Sequence, residues 1–177
     1  SALQRSGKFA EAATMQRELA KQFPKSHYLV GAAQSIVDCH IALNDAAGGT
    51  AAIEELVAAA AGGGVDPNFL SAFDYFRGRL LEEQKNLAGA KSKYQAVAAG
   101  RTGSASMTAM ARMRIARCEQ AEGQAETAKT AYRALIEQLD VGNEVLAGAW
   151  NGLADIALDE AQKAKNAEKL TNALVKV

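Results

Sequence analysis

An all-α chain of antiparallel helix hairpins, stacked into a right-handed superhelical solenoid, is the architecture this sequence predicts. Three observations carry it. A small residue followed four positions later by a large one recurs at Ala52/Leu56, Ala90/Tyr94 and Ala128/Tyr132, and both steps are 38 residues. Apolar residues fall at three- and four-residue spacing, as in Ala128, Tyr132, Leu135 and Leu139, the pattern of a helix with one buried face. Strand signals are absent, and the connecting stretches "AAGGT", "AGGGVDPN" and "GRTGSAS" are rich in Gly and Ser, which end helices. A single hairpin cannot bury its own apolar face, so repetition at a fixed interval implies neighbours stacked on neighbours, with a concave surface along the stack.

The elements follow in chain order. Residues 1–177 read as one domain of about 4.5 units of about 38 residues. The opening "SALQRSGKF" reads as the end of a helix already under way, so a fragment of a longer protein is expected. The next helix starts at the break Gly7-Lys8 and carries Ala12, 40 positions before Ala52. Ser26 caps the first helix of the following unit, whose second helix is expected to begin at Gly48-Gly49-Thr50. Asp66 followed by Pro67 opens the next first helix: an acidic N-cap accepts orphan backbone N–H groups, and Pro at the first helical position sacrifices no hydrogen bond. Lys85-Asn86 begins its partner helix. Ser104 or Ser106, then Glu122-Gly123, then Asn143 with Glu144 mark the remaining starts, and Asn166/Leu170 form a degraded copy of the small–large pair.

Composition narrows function. Twenty basic and twenty acidic residues cancel, which removes the electrostatic footprint of phosphate binding, so no nucleic-acid partner is expected. Cys39 and Cys118 are far apart and form no metal-ligand spacing, and no motif calls for a cofactor. No apolar run approaches the roughly 20 residues that cross a bilayer, so no direct membrane insertion is expected. His27 and His40 are the only imidazoles, and neither stands beside a nucleophile with a third orienting group, so the chain is not expected to be an enzyme. The Gly-rich stretches lack the preceding strand and the Lys of a phosphate loop.

"GKFAEA" with Pro24, and "WNGLADIA" through Trp150, Leu153, Ala154 and Ala157, resemble the tetratricopeptide repeat (TPR) family over nearly the whole chain. The interval of 38 exceeds the usual length of about 34 residues. Arg77 and Arg112 stand where that family prefers apolar residues. The segment "AKQFPKSHYLVGAAQ" looks like a bacterial cell-envelope branch, where a Pro-x-Ser step joins units. The resemblance implies that the first helix of each hairpin lines the inner surface and that the groove binds a protein or peptide.

That register places Ala72, Tyr75, Arg79 and Glu82 on the groove, then Met110, Met113, Arg117 and Gln120, then Gly148, Asn151 and Asp155. Arg79 and Arg117 share a slot and are expected to grip a carboxylate side by side, while Met110 and Met113 give adaptable apolar contact. The partner-binding set is therefore Tyr75, Arg79, Met110, Met113, Arg117, Asn151 and Asp155. A plainer reading pairs the two arginines with Glu82, Glu83 or Glu119 on the surface. Tyr94, Tyr132, Trp150 and both cysteines read as core. Two other roles stay open: self-association through the last helix, where Leu170, Leu174 and Val177 lack cover, and an accessory domain of a larger enzyme.

Overall fold

A computed structural model of the chain describes residues 2–24, 26, 28–61, 67–100, 104–138 and 141–174. All secondary structure among them is helical: α1 (Ala2–Arg5), α2 (Phe9–Gln22), α3 (Leu29–Ala42), α4 (Ala46–Ala61), α5 (Pro67–Glu83), α6 (Leu87–Ala99), α7 (Ala105–Ala121), α8 (Ala125–Ile136) and α9 (Asn143–Leu174). Each helix packs on the next in the chain, and α3, α5, α7 and α9 also pack on one another in that order. The result is a solenoid of antiparallel hairpins. The period lies in the first helices, which start at residues 29, 67, 105 and 143, three steps of 38.

The repeated small residue is what lets the helices approach. Ala12, Ala52, Ala90 and Ala128 are all at most 1% exposed, and so are the large partners Leu56, Tyr94 and Tyr132. A buried phenol needs a hydrogen-bond partner. Tyr94 donates to Glu82 Oε2 at 2.9 Å, and Tyr132 donates to Gln120 Oε1 at 2.9 Å, the same bond one unit later. The ion pairs Lys91–Glu122 and Lys129–Glu160, each 2.5 Å, repeat in the same way.

Helices α1, α3, α5 and α7 end in the same turn. Gly7, Asn44, Lys85 and Gly123 have φ of 77°, 55°, 62° and 81°. The next residue's N–H reaches back to Leu3, His40, Leu81 and Glu119 carbonyls at 2.9 Å each, the Schellman arrangement. Glycine fits this left-handed conformation without strain and Asn tolerates it, whereas Lys85 clashes through its Cβ. Lys85→Gly is expected to stabilise the chain by about 1 kcal/mol and to raise the thermal midpoint by about 3 °C. An unchanged or lower midpoint in calorimetry would contradict this account of the turn.

Ser26 does not cap α3, whose N-cap is Tyr28, and its Oγ accepts from Tyr28 N at 3.2 Å instead; three further expectations about helix ends need correction. The break at Gly48-Gly49-Thr50 is inside α4, which begins at Ala46 and whose first turn is capped by Asp45, with its Oδ1 accepting from Gly48 N at 2.9 Å. Gly49 is a packing glycine: a Cβ there would lie 2.6 Å from Leu80 Cδ2 and 3.0 Å from His40 Cβ. Asn143 is the first residue of α9, and the Gly142 carbonyl accepts from Val145 N and Leu146 N. Ser104 does cap α7, with Oγ accepting from Met107 N at 3.1 Å, and Pro67 does open α5. Asp66 lies outside the described residues.

The third correction concerns the end of the array. α9 runs through the Asn166/Leu170 pair as one helix of 32 residues, where α5 and α7 stop after 17. Nothing between Asp159 and Glu168 breaks a helix, and Lys163 pairs with Asp159 one turn away at 2.6 Å. Trp150, expected in the core, is 59% exposed on this helix. The side chains of Leu170 and Leu174, and Val177 altogether, lie outside the described residues.

Candidate functional site

Two first helices wall a polar cleft of the array. α7 contributes Met113, Arg114, Arg117 and Gln120, and α9 contributes Glu144, Gly148, Asn151 and Asp155, around a volume of about 430 Å³. Each set follows helical spacing, so each is one face of its helix. Glycines set the separation of the walls. A Cβ on Gly148 would lie 3.1 Å from Met113 Sδ, and one on Gly152 would lie 2.3 Å from the Tyr132 ring, which closes the floor.

The walls carry opposite charge. On the α7 side, Arg114 Nη1 lies 3.4 Å from both carboxylate oxygens of Glu82, and Arg117 Nη2 lies 3.8 Å from Glu82 Oε1. One carboxylate is therefore shared by two guanidiniums at loose distances. Burial works against the Arg114 charge, but Tyr75, Glu82 and Tyr94 around it outweigh burial, so its proton is held more firmly than usual. Its Nε has no hydrogen-bond partner among the described residues. On the α9 side, Glu144 is exposed and so is Asp155. No ion pair holds either among the described contacts.

The structure brings together four of the seven expected residues: Met113, Arg117, Asn151 and Asp155 line this cleft. Met113 is itself only 5% exposed, so it forms part of the wall rather than a projecting contact. The other three lie elsewhere. Met110 is partly buried against both main core clusters. Tyr75 is a core residue, 6% exposed, stacked edge-on to Phe76 at 6.0 Å and tilted against Tyr94 at 5.6 Å. Ala72, from the same expected face, is buried too.

Arg79 is spent inside the fold, where its Nη1 donates to Asp38 Oδ1 at 2.6 Å and ties α5 to α3. The residue that corresponds to Asp38 for Arg117, one unit on, is Phe76, which accepts nothing. The two arginines share a slot but not a neighbour, so only Arg117 remains half-exposed, at 49% of its side chain. Arg77, in an apolar slot of the resembled pattern, is held by Glu54 at 2.7 and 2.8 Å and by Asp74 at 3.0 Å. Arg114 and Glu144 are the residues the periodic reading missed. A signal existed for Arg114, since its slot holds Phe76 and Gly152 in the adjacent units and a charge there has to be paired.

Remaining reactive groups are structural. His40 Nδ1 lies 3.0 Å from Asp45 Oδ2, joining the end of α3 to the start of α4. Hydrogen bonding from the Gly48 backbone, then from His40, holds the Asp45 carboxyl below its ordinary range. Burial pushes the Cys118 thiol up to about 11, away from a reactive thiolate. His27 lies outside the described residues. No group of three or more His, Cys, Asp or Glu side chains converges as a metal site among the described residues, and no described helix is long and apolar enough to cross a membrane.

No family model matches the chain, and no curated protein matches it. Solved structures do. The crystal structure of Podosopora anserina kinesin light chain nearly identical TPR-like repeats superposes on 96% of this chain and 87% of its own, with TM-score 0.60 and 15% identity. A point variant of that same protein does so on 97% and 87%, with TM-score 0.61 and 14% identity. At that identity the likeness establishes a TPR-like fold and leaves the cell-envelope branch without support.

Proposed function

We propose that this chain is a non-catalytic scaffold that holds a segment of another protein in the cleft between α7 and α9. The observation that carries this reading is the pair of oppositely charged walls: half-exposed Arg117 beside the shared Glu82 on one side, and, on the other, two carboxylates that have no ion-pair partner among the described residues. Charge left unpaired in a concave site favours a ligand that completes it. The matching segment presents an acidic group to α7 and a basic group to α9, with small or apolar residues over Gly148 and Ala147. The TPR-like neighbours support a scaffold in general terms, and the cleft gives the reading its residues.

The test is selection of peptides from a random display library on the 177-residue chain, followed by binding to variants. Selected peptides are expected to carry both charges. Arg117→Glu combined with Asp155→Lys is expected to weaken them at least about tenfold, since each reversal turns an attraction into a repulsion. Both side chains are exposed enough that the thermal midpoint stays within about 2 °C of the parent. Peptides that bind the double variant as well as the parent would refute the cleft as the site.

A further inference from the structure

We propose that two copies of this chain pair through α9, antiparallel and about a two-fold axis, each helix filling the place where the other lacks a hairpin partner. The first ground is the repeat itself. In α7, Ala109, Met113 and Ala116 are buried and Gln120 is half-buried, under α8; in α5, Tyr75 and Gly78 are buried and Ser71 and Glu82 are half-buried, under α6. Their counterparts on α9 are Ala147, Asn151, Ala154 and Leu158, and all four are exposed, Leu158 at 70%. A face that accepts an antiparallel helix in two consecutive units is thus formed in a third, where α9 continues straight and no described helix folds back on it. An antiparallel pair of identical helices is the arrangement a two-fold axis generates.

The second ground is an exposed seam that overlaps this face at Ala147 and Ala154 and is complementary to itself. Ala147, Trp150, Ala154, Ala157, Ala161 and Ala164 alternate three- and four-residue steps, an unbroken heptad seam, and every one is exposed. In antiparallel register Trp150 lies opposite Ala161 of the second copy, Ala154 opposite Ala157, and Ala147 opposite Ala164. The single bulky residue meets an alanine, and small side chains elsewhere allow close approach of the backbones. Charge fixes the same register. Glu144 and Lys165 flank the two ends of the seam on one side, neither with an ion-pair partner among the described contacts, and antiparallel pairing sets each against the other twice per dimer.

The seam from 147 to 164 spans about 27 Å of helix. A seam of that length makes a small interface, so a reversible dimer is expected and not a permanent one. Glu144 and Ala147 belong to both surfaces, so pairing and a bound segment compete for that wall; Arg117 and Asp155, which test the cleft, lie off the seam, and the pairing does not rest on the cleft reading.

Sedimentation velocity of the full chain across a dilution series through the micromolar range is the experiment. A monomer–dimer equilibrium is expected that stops at two. Ala154→Arg, at the middle of an exposed face, is expected to leave the helical signal and thermal midpoint unchanged and to abolish the dimer. Glu144→Lys alone and Lys165→Glu alone are each expected to loosen it about tenfold. Combined, they restore the opposite-charge pairs and the parental affinity. A monomer at every concentration, growth past the dimer, indifference to Ala154→Arg, or a double reversal no tighter than the singles would each overturn the proposal.

Discussion

Tyr132→Ala is expected to cost about 4 kcal/mol of unfolding free energy, the range for deleting a buried aromatic ring. The ring is completely buried, lies over Gly152 of the next unit and anchors its hydroxyl on Gln120. Glycine at 152 keeps α9 close, so neither helix can collapse into the space left behind. Tyr132→Phe should cost only about 1 kcal/mol, because Gln120 retains access to water. The hydroxyl also sets the alkaline limit. Burial pushes the Tyr132 phenol up to about 12 from an ordinary 10.0, and burial with the nearby Glu82 carboxylate moves Tyr94 in the same direction. The folded state therefore keeps these protons longer than the unfolded chain. The Tyr132 contribution is whole below about pH 10 and is lost as pH rises toward 12, and that of Tyr94 falls in the same direction from the same starting point. Urea titrations of the parent and of Tyr94→Phe with Tyr132→Phe check the sign. The parent's stability should fall more steeply in this window than the double variant's, in which lysine ion pairs such as Lys91–Glu122 still titrate, and parallel curves would count against the assignment.

Glu82→Leu is the second large effect, expected to destabilise by about 3 kcal/mol. Glu82 is 15% exposed and the Arg114 beside it 17%, so removing the carboxylate leaves a guanidinium short of its counter-charge in a nearly dry site. Tyr94 loses its acceptor at the same time. The informative comparison is Glu82→Leu with Arg114→Met. Replacing both partners by apolar side chains removes the stranded charge but still leaves the Tyr94 hydroxyl without its acceptor, so the double variant should be more stable than Glu82→Leu and lie within about 2 kcal/mol of the parent. Chemical denaturation of the four proteins reads the cycle. Additive losses would show that the two side chains act independently and that Glu82 does not hold Arg114.

The array was legible because the same small residue recurs where helices touch. Ala52, Ala90 and Ala128 carry the period, and the first helices keep it through loops of different length. What periodicity does not carry is the neighbour. Arg79 and Arg117 are identical by slot, yet the position that gives Arg79 its Asp38 is Phe76 one unit on, which leaves Arg117 only a loose pairing with Glu82 and so available. Tyr75 fails for the same reason, since its aromatic contacts come from Phe76 beside it and Tyr94 across the hairpin. Gly48-Gly49 illustrates a second ambiguity. Glycine marks a helix end or a close crossing, and only the presence of His40 and Leu80 against Gly49 tells which. Trp150 was hidden because its slot holds half-buried Asp74 and exposed Arg112 in the preceding units, so it lies on the outer side of its helix, which an apolar side chain alone does not reveal.

The central claim is an open stack in which each hairpin touches only its neighbours and one face stays free. Small-angle X-ray scattering at high dilution measures it directly, because a compact globule of this length has a radius of gyration of about 16 Å. An extended array with a projecting α9 gives a distinctly larger radius and a distance distribution with a long tail. A radius of about 16 Å with a symmetric distribution would mean a closed bundle and would contradict the stack.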